Sequence, residues 1–490
     1  MEEKKSYIQN WISLAGILFS LIFFLVICFM IGLDLFLKDL NPYLQSITYI
    51  FVPGLLIASL ALIPVGILIE RKRRVRPGGE GKFPVIDFNH PAHQRWILTT
   101  AGVVTIFGLF SLFGAYRAYE FTDSVAFCGL MCHKVMEPEH TAYQHSSHAR
   151  VACVRCHIGP GAEWFVRAKL SGLYQIYSTL TNRYHRPIET PVKNLRPAED
   201  TCEQCHWPQH FYGAVQQDHT YFLTDEANTS WKADMLMQVG GGFPQKEGIH
   251  WHMNIKNKIE YAATDKKRLE IPWVRRTDPE GNVEVYKSEE AGAVADAPPG
   301  EIRRMDCVDC HNRPSHIYRS PDRAVNQAMA AGTIPPSLPF VKREAVRVLA
   351  EPYASVEEAA SKIRTSLEGF YREQYPDIFR DRHADVVRTV QAVTDIYQTN
   401  FFPAMKVSWK EYPDHIGHMI FPGCFRCHDG KHKSASGKVI TQDCSKCHLL
   451  IEQGEPGAPE KSVDGLPFRH PGEDDGAWKE MPCYDCHTGS

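Results

Sequence analysis

The sequence predicts a mainly α-helical protein with much irregular structure: a three-helix membrane anchor, then a larger extracytoplasmic part of short helices and loops with a small β-hairpin. Three observations predict it. Long apolar runs are confined to the first 120 residues. Fourteen of the fifteen cysteines form pairs, and each second cysteine is followed directly by histidine. All seven pairs fall after Glu120, which leaves so little chain per pair that short elements and loops must dominate.

The anchor is read as residues 1–120. Trp11 to Leu37, Ile47 to Ile69 and Trp96 to Ala115 each reach the length a spanning helix needs, about 20 apolar residues. The connection after the second run carries Arg71-Lys-Arg-Arg-Val-Arg76, then Lys82 and Arg95; the first connection carries only Lys38. The positive-inside rule then puts Arg71–Arg95 and the N-terminus in the cytoplasm, and everything after Glu120 outside the inner membrane. The first run is too long for a signal-peptide core and lacks a small-residue cleavage site, so the anchor stays uncleaved. None of the runs contains histidine, which argues against a haem inside the bilayer. Cys28 is a small apolar residue mid-span, and Pro53 and Pro64 are kinks that a lipid-embedded helix tolerates.

The pairs are Cys128/Cys132, Cys153/Cys156, Cys202/Cys205, Cys307/Cys310, Cys424/Cys427, Cys444/Cys447 and Cys483/Cys486. Structural zinc would consume pairs two at a time and strand one of seven. A disulfide framework gives no reason for a histidine at a fixed offset. C-x-x-C-H is the attachment pattern of c-type haem: two thioethers hold the porphyrin edge and the adjacent imidazole reaches the iron. Seven covalently bound c-type haems follow, with His133, His157, His206, His311, His428, His448 and His487 as proximal ligands. A net charge of −3 gives no reason to expect nucleic acid.

Beyond the anchor the chain divides into 121–255 with haems one to three, 256–340 with a β-hairpin and haem four, a helical scaffold at 341–400, and 401–490 with haems five to seven. Lys258 to Lys287 alternates around Asp278-Pro-Glu-Gly-Asn282, a hairpin signature. Glu289 to Gly300 has linker composition. Ser355-Val-Glu-Glu358 is a capping box, followed by Ile363, Leu367 and Phe370 on one helical face; a second helix runs from about Asp381 to Tyr397. This order suggests a wire with one end at the membrane and the other at the C-terminus.

Each iron takes a second axial ligand as well. Fourteen further histidines follow Glu120, twice the number needed. Those in irregular stretches are favoured: His148, His210, His252, His316, His418 and His432, with His145, His250 and His415 as direct competitors. The first pair has one extra residue between its cysteines, which shifts His133, and Met131 and Met136 stand close by. Methionine ligation at Met136 would raise the potential; simple packing against the ring is the other reading.

FCGLMCHKVM, HSSH, ACVRCHIGP, the aromatic and basic helix Trp164–Tyr177 and Asp200-Thr-Cys-Glu-Gln-Cys-His-Trp207 together resemble the NapC/NirT family of membrane-anchored quinol-oxidising cytochromes, over about residues 96–210. The layout as a whole resembles the heptahaem inner-membrane cytochromes of metal-reducing bacteria (the ImcH type). The resemblance implies menaquinol oxidation at the outer face, methionine ligation at the first haem, and Lys169 in the quinol pocket. The family also places an acidic residue about two turns beyond that lysine. Here Gln175 stands in its place and no carboxylate occurs from Leu170 to Ile188, so proton acceptance passes to Glu137, Glu139 or Glu163. The expected function is electron transfer from the membrane quinone pool to periplasmic c-type cytochromes. A terminal reductase of a small oxyanion such as nitrite and a haem subunit of a larger oxidoreductase complex are the alternatives, with homo- or hetero-oligomerisation left open.

Overall fold

The structure, a computed structural model, describes residues 7–8, 10–36, 47–74, 88–159, 161–192, 195–241, 248–253, 257–289, 300–472 and 476–490. The chain forms two compact units, Met1–His133 and Lys134–Ser490. Lys38, Arg76, Lys82 and most of the expected linker, 290–299, lie outside the described residues.

In the first unit, α1 (Trp11–Phe36) packs on α2 (Val52–Arg74), which is entered through a π-helical turn at Ile47–Phe51. Small residues make the contact. The Ser20 and Ser59 hydroxyls lie 2.9 Å apart, and Ser13 Oγ donates to the Ile63 carbonyl at 3.1 Å. A Cβ on Gly16 would meet the Ser59 carbonyl oxygen at 2.9 Å, so glycine is what lets the backbones approach. Trp11, Leu18, Leu25 and Phe29 point outward, as lipid-facing side chains do. Next come α3 (Pro91–Thr122), its N-terminus capped by the His90 side chain, and α4 (Val125–Leu130), capped by Ser124. Ile31, Tyr49 and Phe121 bury one another, and Phe127 packs edge-on against Phe121 at 5.4 Å. That cluster fixes the start of the first cysteine pair.

The anchor corrects the three-span expectation. Among the described residues two helices are long and apolar enough to cross a bilayer, Trp11–Leu33 and Ile47–Lys72. The third expected run, Trp96–Ala115, lies within α3, which opens on Pro91-Ala-His-Gln-Arg95 and is interrupted by Thr99, Thr100 and Thr105. These polar residues dilute it relative to α1. The two N-terminal helices support an inner-membrane anchor. Two crossings return a chain to its starting side, so the loop-charge argument for the N-terminus and the haem part loses its parity.

The second unit is mostly helical with antiparallel sheet. Elements α5 (His133–Gln144), α6 (Cys153–His157), α7 (Ala162–Leu180) and α8 (Ala198–Thr201) are followed by β1 (Ala214–Phe222) and β2 (Ser230–Gln238). Then come β3 (Lys258–Ala262), β4 (Trp273–Thr277), β5 (Val283–Ser288) and β6 (Arg303–Arg304), and a one-turn helix α9 (Cys307–Cys310). A helical layer, α10 (Pro321–Ala330), α11 (Val341–Ala350), α12 (Val356–Gln374), α13 (Pro376–Asp381) and α14 (His383–Asn400), precedes β7 (His432–Ser434), β8 (His448–Gly454), β9 (Glu460–Lys461) and α15 (Cys483–Cys486).

The single hairpin of the sequence reading becomes two sheets, ordered β1-β2-β8-β9 and β6-β3-β4-β5-β7. The expected turn is present: Asn282 N donates to Asp278 Oδ1 at 2.7 Å between β4 and β5. The pairs β1–β2, β3–β4 and β8–β9 are also neighbours in sequence, whereas β2–β8, β3–β6 and β5–β7 join distant parts of the chain, which local alternation does not reveal. In the helical layer, Ser355 Oγ accepts from Glu358 N at 3.1 Å while the Glu358 carboxylate accepts from Ala354 N at 2.9 Å. The buried stripe of α12 is Ile363, Leu367 and Tyr371, all fully buried, with Phe370 half-buried beside it.

Candidate haem centres

Six of the seven motifs fold as a single helical turn. The histidine amide donates to the first cysteine's carbonyl in His206→Cys202 and His311→Cys307, both at 2.8 Å, and in His487→Cys483 at 2.9 Å. Residues i, i+3 and i+4 share a helix face, so this fold puts both sulfurs and the imidazole on one side. The first motif departs from the pattern. Cys128 and Cys132 are four apart and share a face, but His133 follows at i+5, roughly 140° further round an ideal helix. The His133 side chain lies outside the described residues; Met136 is half-buried on the next turn of α5.

Each of the other six motif histidines faces a second imidazole. Ring centroids are 6.3 Å apart for His157 and His316, 6.0 Å for His206 and His148, and 6.3 Å for His311 and His250. They are 5.7 Å apart for His428 and His252, 6.2 Å for His448 and His418, and 5.9 Å for His487 and His470. Imidazole nitrogens bind a metal at about 2 Å, so two rings on opposite sides of one metal stand with their centroids about 6 Å apart. All six pairs have that spacing.

The second ring nitrogens of four of these histidines agree, while Nδ1 of His418 and of His448 is buried without a hydrogen-bond partner among the described residues. His250 Nδ1 faces the Val239 carbonyl at 2.7 Å, His252 Nδ1 that of Ile249 at 3.0 Å, His316 Nδ1 that of Glu139 at 3.0 Å, and His428 Nδ1 that of Thr441 at 2.8 Å. A carbonyl makes Nδ1 the protonated nitrogen and leaves the Nε2 lone pair for a metal. Burial lowers His252 to about 4 and keeps it neutral, the form that ligates. A cavity of about 360 Å³ opens at the third motif, lined by Gln204, Cys205, His206, Trp207, His210 and Phe211. The residues present therefore fit haem.

Four of the favoured distal histidines, His148, His252, His316 and His418, face motif histidines, while His210 and His432 do not. His210 packs on Trp207 at 5.5 Å. His432 has both nitrogens occupied, Nδ1 by Asp429 Oδ1 at 2.9 Å and Nε2 by the Ile271 carbonyl at 2.7 Å. Among the competitors, His250 faces a motif histidine, His145 bonds to the Thr141 carbonyl, and His415 receives Arg426 Nη1 at 3.1 Å. His470 was not singled out by sequence; its one local signal is the aromatic company of Phe468 and Trp478.

The motifs follow one another in space as they do along the chain. Cys156 is close enough to interact electrostatically with Cys202 and Cys205, and Cys202 with Cys307. Cys310 interacts with Cys424, Cys447 with Cys424, and Cys483 with Cys444. One 3-10 turn, Ile249–Met253, presents both His250 and His252, and so serves the fourth and fifth motifs together.

The proton-handling candidates are spread over two helices. Lys169 is half-buried on α7 and Glu137 exposed on α5; the Glu163 side chain lies outside the described residues. Glu139 is engaged, its carboxylate 3.1 Å from both Arg313 Nη2 and His316 Nδ1. Sequence reasoning missed Arg313, which is held between the rings of Tyr318 and Tyr412, and Asp309, whose role appears only once the sheet is folded.

Two apolar helices followed by Cys-Cys-His turns that face paired imidazoles define a membrane-anchored multihaem c-type cytochrome. The comparisons with known proteins agree: residues 91–206 match the N-terminal region of the NapC/NirT cytochrome c family. Along its whole length, 100% of this chain and 97% of the relative, the protein is 43% identical to the cytochrome c-type protein ImcH of Geobacter sulfurreducens. It is also 31% identical to the cytochrome c-type protein NrfH of Wolinella succinogenes over 104 residues, 20% of this chain and 58% of that one. The chain belongs to the ImcH family, with a NapC/NirT-type N-terminal region. No solved structure matches it.

Proposed function

We propose that the protein is a menaquinol-oxidising heptahaem cytochrome of the inner membrane that passes electrons from the quinone pool to periplasmic c-type cytochromes. The haem part is taken to be periplasmic because c-type attachment takes place outside the cytoplasmic membrane. The observation that carries the reading is the ordered succession of motifs, each within electrostatic range of the next from Cys156 to Cys483, in a chain whose other end is a membrane anchor. When bound, haem supplies reversible one-electron chemistry at each site.

The chain's residues hold, orient and shield. The six imidazole pairs would close both axial positions at motifs two to seven, a set of sites for electron transfer rather than for binding a small oxyanion. At motif one, Cys128 and Cys132 would hold the group, with His133 or Met136 towards the metal. Oxidation of a quinol to the quinone releases two protons and two electrons. Lys169 is assigned to orient the quinol oxygen, and Glu137 and Glu163 to take the protons to the outer solvent, in place of the carboxylate missing between Leu170 and Ile188.

Spectroelectrochemical titration of the purified holoprotein tests this, with and without a redox-inert quinol analogue. The analogue is expected to shift one haem potential out of seven, and Lys169→Met to abolish that shift. An analogue that moves none of the seven would overturn the reading.

A further inference from the structure

Helix α7 is inside out for a water-soluble protein. Val166, Leu170, Leu173, Tyr174, Tyr177 and Leu180 form a helical stripe at i, i+4, i+7, i+8, i+11 and i+14, and every one is exposed, Leu170 to 62% and Leu180 to 82%. Beyond Trp164, which is half-buried in the first turn, the described residues on the other side are small or polar: Ala168, Ser171 and Gly172 are half-buried, and Ser178 is buried. A helix packed on a domain in water shows the opposite arrangement.

The surroundings carry one sign of charge. From Trp164 to Ile188 the chain has Arg167, Lys169, Arg183 and Arg186 and no carboxylate. Aromatic side chains hold two of these cations at the helix's C-terminal end: Arg183 Nη1 donates to the Tyr177 hydroxyl at 3.1 Å, and Arg186 Nη2 to the Tyr184 hydroxyl at 2.7 Å. Leucines flanked by tyrosine and arginine are the composition of a segment lying at the boundary between acyl chains and anionic headgroups. A second copy of this chain would bring an equally basic rim against this one, whereas lipid phosphates complement it.

We infer that α7 is an interfacial helix: its Val166–Leu180 stripe is sunk into the outer boundary of the bilayer, with Arg167, Arg183 and Arg186 on lipid phosphates. The anchor and α7 are then two separate membrane contacts of one chain. The inference rests on exposure and charge and stands whether or not the substrate is a quinol.

The test uses the full-length holoprotein in nanodiscs of phosphatidylcholine and phosphatidylglycerol that contain a trace of lipid bearing a photoactivatable carbene precursor in its acyl chain. Peptide mapping after illumination is expected to find lipid adducts between Val166 and Arg183 as well as in Trp11–Phe36. The L170S/L173S/L180S variant should lose the α7 adducts by about fivefold or more, with its haem absorption spectrum and anchor adducts unchanged. Omitting phosphatidylglycerol, or the R183Q/R186Q variant, should lower the α7 yield alone. Adducts confined to the anchor, or photo-crosslinks from α7 to a second protein chain, would overturn the inference; neither result bears on whether an analogue shifts a haem potential.

Discussion

His432 is almost wholly buried and uses both ring nitrogens within the protein, on Asp429 and on the Ile271 carbonyl. Burial is the largest single influence and works to lower its pKa, but the Asp429 hydrogen bond, the Ile271 carbonyl and the Asp429 charge together outweigh it and the net shift is upward. His250 uses one nitrogen on a carbonyl and turns the other towards His311. The two are alike in sequence, each a histidine in an irregular stretch, and only long-range placement separates them. The attachment turns were legible because cysteines and histidine share one turn; His316 and His252 could be favoured from sequence, but which motif histidine each one faces could not be read, because His316 meets His157 and His252 meets His428 from distant parts of the chain. The contrast is testable. His250→Ala should convert one low-spin haem to a high-spin signal by EPR. His432→Ala should leave every haem low-spin and lower stability by about 1–3 kcal/mol, since the Ile271 carbonyl and Asp429 lose their partner. A high-spin haem in the His432 variant would reverse the assignment.

Among the elements, the five-stranded sheet owes its hold on the fourth motif to one carboxylate. Asp309 lies between Cys307 and Cys310 and its side chain is 1% exposed. It accepts from Tyr261 Oη at 2.6 Å, Arg268 Nη1 at 2.9 Å, Arg303 Nε at 2.8 Å and Asp306 N at 2.8 Å. Tyr261 is on β3, so the strand and the haem turn share this residue. Asp309→Asn keeps the shape and removes the charge; with the two arginines partly solvated, we expect a loss of about 2 kcal/mol, below the full cost of breaking a buried pair, read as a lower denaturation midpoint with the wild-type haem content retained. At the sheet's other edge, Lys438 above all, with Ser436 and Ser434, holds Glu284 down at about pH 2. A carboxylate with a lowered folded pKa stabilises above its unfolded value and loses that contribution as pH falls towards 2. The protection of the β7 amides, exchange corrected for its intrinsic dependence on pH, should therefore fall between about pH 4 and 2 in the wild type and vary little over that window in Glu284→Gln. The β4–β5 turn and the α12 cap were legible because each is local. The pairing of β2 with β8 was not, since β8 begins at the sixth motif's own histidine and reads as haem wrapping.

For the whole molecule, the decisive feature is where charge can travel. Neither Trp11–Leu33 nor Ile47–Lys72 contains a histidine, so neither span offers an imidazole to an iron within the bilayer. The Cys-Cys-His turns begin at Cys128, after both spans, and continue in order to Cys486. On the proposed reading, the quinol's electrons leave along that series and its protons leave through Glu137 and Glu163 on the same side. Each turnover then carries no net charge across the membrane, unlike a scheme with redox centres spread through its thickness. Holoprotein reconstituted in sealed vesicles, given a quinol and an external soluble cytochrome, should reduce the acceptor at a steady rate while a potential-sensitive dye stays flat. External pH should fall by two protons per quinol, and a protonophore should leave the rate unchanged. A dye response that rises with turnover and collapses on adding the protonophore would mean that charge crosses the bilayer, and the electroneutral scheme would fail.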